Sequence, residues 1–136
     1  MKYIKIIVCF VIFSLFLSGC GVWDRGVILF NTQPITKENV MNDARYFTSG
    51  QRVYYLFIAP KRMNNKYIRV QVFKMNDKDS WGGAEPVRTK DYRLMKDERY
   101  YHTDYFTIYQ SGRYGMQVFS TDDLQHPLSV GEFFVK

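Results

Sequence analysis

His102 and Asp104 stand two residues apart in an aromatic run, residues 100–109. On a strand, residues two apart share a face. A histidine beside a carboxylate can act as a general base with its orienting partner, and Ser111 or Ser120 would then supply the nucleophile. Nothing around either serine resembles the sharp turn that exposes a hydrolase nucleophile. The pair is therefore expected to be a solvent-facing polar strip, and His126, beside Pro127, a loop residue. Asp77-x-Asp79 is a second candidate. As the start of a calcium loop it puts Gly82 at position six, but Trp81 at five and Arg88 at twelve, where oxygen ligands are required. A calcium site of another kind from Asp77, Asp79 and Glu85 stays open. Gly82-Gly83 lacks the Lys-Ser/Thr that a phosphate-binding loop needs, and reads as a flexible turn. No metal or cofactor is expected.

These residues sit in a chain of 136 residues, enough for one domain and too short for a barrel enzyme or a dinucleotide-binding enzyme with a second domain. With 46% apolar and 18% aromatic residues it can build a core. The start is set apart. Lys2 and Lys5 precede an uncharged apolar run, residues 6–17, and then Ser18-Gly19-Cys20. That order is a secretory leader, residues 1–19. A membrane-spanning anchor is the lesser reading, because a spanning helix needs about 20 apolar residues.

Leu17-Ser18-Gly19-Cys20 resembles the lipobox of bacterial lipoproteins. The resemblance implies cleavage before Cys20, a diacylglycerol on its sulfur, and a lipid bilayer as partner. Two or three acyl chains anchor stably where one does not. In that family an Asp after the Cys marks inner-membrane retention in enteric bacteria. Gly21 stands there, which implies the outer membrane if the host has two. Cys9 leaves with the leader and Cys20 takes the lipid, so the mature chain has no disulfide and no thiol nucleophile. Its net charge drops from +6 to +4 once Lys2 and Lys5 are gone. No block of five basic residues occurs, so nucleic acid is not an expected partner. Residues 20–26 form the lipidated cysteine and a tether, whose last six residues reach at most about 20 Å.

Residues 27–136 must then be the domain. Val27 to Phe30 reads as a strand. Thr36 caps a possible short helix over 37–47, with Ile35 packing on Val40. Gln51 to Ile58 is apolar on both faces and is expected to be central and covered. Tyr67 to Met75 alternates, with Ile68, Val70 and Val72 inward. Val87 to Leu94 is polar and suits an edge. His102 to Tyr109, Arg113 to Phe119 and Val130 to Val135 complete about seven strands.

The pattern predicts an all-β antiparallel sandwich, with a small barrel or lipocalin-like cup as runner-up. Gly112-x-Tyr114 at the start of the sixth run resembles the tyrosine corner of immunoglobulin-like domains. The cysteine pair and core tryptophan of antibody domains are missing, so the resemblance is to disulfide-free relatives such as the fibronectin type III class. It implies that Tyr114 bonds back to the upstream backbone.

The expected function is a non-enzymatic, membrane-anchored binding or assembly module of the cell envelope, with a protein partner. The contact residues expected are Trp81 in the 76–86 loop and the corner of Arg99, Tyr100 and Tyr101, because Tyr, Trp and Arg carry interfaces. The alternatives are a hydrolase using His102 and Asp104, which needs a concave pocket, and a carrier of a small apolar ligand. A packed contact among Val53, Phe57, Val70, Phe106 and Val118 would count against the carrier.

Overall fold

Strand periodicity decides most of the architecture. The computed structural model describes residues 25–76 and 83–136; Cys20, Asp77, Asp79 and Trp81 lie outside the described residues. The strands are β1 (Val27–Asn31), β2 (Tyr46–Phe47), β3 (Arg52–Ile58), β4 (Tyr67–Lys74), β5 (Glu85–Arg93), β6 (Tyr101–Thr107), β7 (Gly112–Ser120) and β8 (Ser129–Val135). They form a three-stranded sheet, β1-β3-β6, and a five-stranded sheet, β2-β8-β7-β4-β5. Every pairing is antiparallel except β2 with β8. The chain is a β-sandwich with an immunoglobulin-like strand order, in which β5 pairs with β4.

Between the sheets lies one apolar cluster. Ile68, Val70 and Val72 of β4 are at most 2% exposed. Phe133 is fully buried, with the rings of Phe30, Phe47, Phe106 and Tyr114 centred 5.1, 5.9, 5.7 and 5.5 Å from its own. Val53, Phe57, Val70, Phe106 and Val118 all belong to this cluster and are at most 3% exposed. A core packed in this way counts against a carried ligand.

The tyrosine corner is formed. The buried Tyr114 hydroxyl donates to the Gln110 carbonyl at 2.6 Å. Tyr114→Phe keeps the ring and orphans that carbonyl, and is expected to cost roughly 1–2 kcal/mol. A lowered urea midpoint at unchanged slope is the readout.

Two expectations are corrected. Residues 37–47 form no helix. One turn starts, with the Val40 N–H donating to the Thr36 carbonyl at 3.0 Å. Asparagine side chains then capture the backbone: Asn39 Oδ1 accepts from the Thr36 N–H at 2.7 Å, and Asn31 Nδ2 donates to the Asn42 carbonyl at 3.1 Å. Such bonds compete with a helix. Met41, 88% exposed, has no apolar face to join, and the segment ends instead in β2. The second correction concerns β3. It is central, but only Val53, Tyr55 and Phe57 are buried; Tyr54 and Leu56 are half-buried and Ile58 is exposed. The outer face of this sheet stays largely open.

Strand direction sorts the loops into two poles. Val27, Ile58 and Tyr101 form one row across the first sheet. The loops 59–66, 94–100 and 121–128 gather at that end, the proximal pole, where the chain arrives at Gly26. The turns 48–51 and 108–111 mark the distal pole. Gly26 is locked in place: its N–H donates to the Leu128 carbonyl at 2.8 Å, and its carbonyl accepts from Ser129 Oγ at 2.7 Å. A Cβ there would lie 2.5 Å from the Ile58 carbonyl oxygen, so only glycine permits this approach.

Candidate functional site

β5 and β6 are edge strands of different sheets, and their side chains close one flank of the sandwich. The Tyr92 hydroxyl donates to Asp104 Oδ2 at 2.6 Å, and Lys90 Nζ lies 3.9 Å from the same oxygen. The Arg88 guanidinium stands 5.8 Å above the Phe106 ring. His102 lies beneath this seam, 8% exposed. Its Nε2 is 3.2 Å from the Tyr55 hydroxyl, and its ring centroid is 4.2 Å from that of Tyr92.

His102 and Asp104 are therefore not a solvent-facing strip. The period of β6 that turns Phe106 inward turns His102 inward too, and Asp104 stays only partly open. The two side chains also serve different partners, Tyr55 for His102 and Tyr92 for Asp104. Ser120 bonds to Asp122 and accepts from Asn65 at the proximal pole, while Ser111 lies in the distal turn between β6 and β7. The hydroxyl that reaches His102 is the Tyr55 phenol. Burial pushes that phenol far above its ordinary range, which makes it a poor nucleophile. No wall of the cavity at Pro60 and Leu128, nor of the groove at Ile35 and Tyr101, comes from either β6 residue of the pair.

Burial, hydrogen bonds and nearby charges set the ionisation of the seam. Burial opposes ionisation of Asp104, but the Tyr92 hydroxyl, the Tyr105 N–H and Lys90 together hold its carboxyl below the usual range. Burial holds His102 below the ordinary imidazole value, against the pull of Asp104 and Glu98. Below about pH 6.5 the unfolded chain binds a proton that folded His102 refuses, so stability falls as pH drops towards the folded value. Urea midpoints are expected to decrease between pH 7.5 and 5.5, with a shallower decrease in His102→Gln. Equal slopes in the two proteins would contradict this.

The expected contact corner divides. Tyr100 and Tyr101, 55% and 43% exposed, flank an open apolar groove with Leu56, Ile58, Ile35 and Val40. Arg99 turns away, donating from Nη1 to the Asn64 carbonyl at 3.1 Å and lining a separate depression with Lys66 and Met95. Ile35, Val40, Leu56 and Ile58 escaped the sequence reading of this site. The apolar outer face of β3 signalled them but reads equally well as a covered face. Among the described residues, no three His, Cys, Asp or Glu side chains gather as a metal-holding group. No described helix is long and apolar enough to cross a membrane.

No family model matches the chain, and no curated protein does. Among solved structures it is similar to a superoxide reductase (neelaredoxin) from Ignicoccus hospitalis, at 10% identity, 82% and 80% coverage of this and that chain, and a TM-score of 0.47. It is similar to the PmoD soluble domain from Methylocystis, at 9% identity, 82% and 90% coverage, and 0.49. An immunoglobulin-like protein from Pseudomonas aeruginosa has 10% identity, 85% and 100% coverage, and 0.46. Identities this low transfer no activity.

Proposed function

We propose that the chain is a lipid-anchored, non-enzymatic binding or assembly module of the cell envelope. The observation that carries this is the lipobox, Leu17-Ser18-Gly19-Cys20, placed six residues before Gly26, where the chain locks onto the sandwich. Acylated Cys20 holds the domain at the bilayer, in the outer membrane where the host has two. The reading as a module without catalysis is supported by the seam. Its histidine and carboxylate are spent on two tyrosines inside a packed flank. The partner is proposed to be another protein of the envelope.

Cys20→Ser tests the anchor. The native protein is expected to partition into the detergent phase and to carry an acylated N-terminal peptide by mass. The variant is expected to lose both while keeping the native unfolding midpoint. An acylated variant would overturn the lipobox reading. The envelope partner is read by crosslinking in the native membrane, where a stoichiometric adduct is expected.

A further inference from the structure

The proximal pole gathers exposed apolar side chains from strand ends and loops alike. Val27, Ile58, Met95, Tyr100, Tyr101 and Leu124 are 50, 39, 61, 55, 43 and 45% exposed there. The first, second and fifth form the row across β1, β3 and β6; the others stand on the 94–100 and 121–128 loops. The 48–51 and 108–111 turns of the opposite pole bring one large exposed apolar side chain, Tyr109. Exposed apolar groups clustered in this way mark a contact surface. Around them, the cations of Arg25 and of the three proximal loops outnumber the carboxylates six to four. Tyrosines beside aliphatic side chains, rimmed by Lys and Arg, suit the boundary between lipid headgroups and acyl chains.

Where the chain enters singles out the occupant. Gly26 is fixed at this pole by Leu128 and Ser129, and five residues separate it from Cys20. A link of at most about 20 Å keeps the end that carries Gly26 next to whatever surface holds Cys20. We infer that the sandwich stands end-on, its proximal pole seated on the anionic leaflet that takes the acyl chains. Met95 and Leu124 then reach the headgroup level, and Tyr100 and Tyr101 face lipid rather than a protein. The distal pole is held out from the leaflet by the length of the strands. This inference rests on the lipid-anchor reading of Cys20.

The mature sequence has no cysteine other than Cys20, so single nitroxide labels can be placed cleanly. Labels at Met95→Cys, Leu124→Cys and Tyr109→Cys are introduced into the full chain. The lipidated protein is reconstituted in nanodiscs of phosphatidylethanolamine and phosphatidylglycerol. The mass of the Cys20 peptide is read on the same samples. Labels at 95 and 124 are expected to gain oxygen accessibility and lose accessibility to a water-soluble nickel chelate several-fold relative to detergent-free protein, with no change at 109. Acylated Cys20 with both proximal labels fully in water would overturn the end-on seat, leave the anchor standing, and free the Tyr100–Tyr101 corner for a protein. Immersion of the 109 label would overturn it too. An unacylated Cys20 would remove the anchor and the seat together.

Discussion

Phe133→Ala is expected to bring the domain close to unfolding at room temperature. The ring is fully buried and four other aromatic rings meet it, drawn from β1, β2, β6 and β7. It therefore ties both sheets together from the last strand. Truncation removes its transfer energy and leaves a hole that the flanking strands cannot close, at a cost of about 3–5 kcal/mol. A domain of this size has only about 5–15 kcal/mol in total, and no disulfide adds to it here. The check is equilibrium urea unfolding. A loss below about 1 kcal/mol would mean that the sheets close over the gap.

Asp104→Ala is the second. The charged hydrogen bond from Tyr92 would go, and the Tyr92 hydroxyl would be left at a half-buried seam. Hydrogen bonds to charged groups contribute about 1.5–3 kcal/mol, and water reaching the carboxylate puts this one near the lower figure. Tyr92→Phe is expected to cost about as much, and the double variant little more than either alone. A catalytic pair would give the reverse result, with full stability and lost turnover. Additive losses in the cycle would separate Tyr92 from Asp104.

What could be read before the structure follows the range of each interaction. Ile68, Val70 and Val72 announce their strand because period two is local. Tyr114 is legible for the same reason: its bond spans four residues, to Gln110. β2 is not, because Tyr46 and Phe47 find their partners in Phe134 and Val135, at the other end of the chain. The helix expected over 37–47 fails on bonds from Asn31 and Asp43, whose partners propensity does not see. His102 reads as solvent-facing because its burial depends on Tyr92 reaching over from another sheet. At the expected contact corner, Tyr100 and Tyr101 are exposed beside the groove. That Arg99 faces elsewhere is set by the Asn64 carbonyl, 35 residues away. The readings of Cys20 and Trp81 rest on sequence alone.

The lock at Gly26 also sets when the molecule can close. Its bonds run to Leu128 and Ser129, and Arg45 donates from Nη1 to the Glu132 carbonyl at 3.0 Å. The opening segments of the domain are thus completed only by its final strand. Pairings this distant in sequence form slowly. For a chain threaded out of the cell N-terminus first, the sandwich cannot shut while β8 is still inside the translocation channel. A stop codon before Ser129 would release a product with β7 unpaired on one side and the Phe30 ring uncovered, a target for proteases.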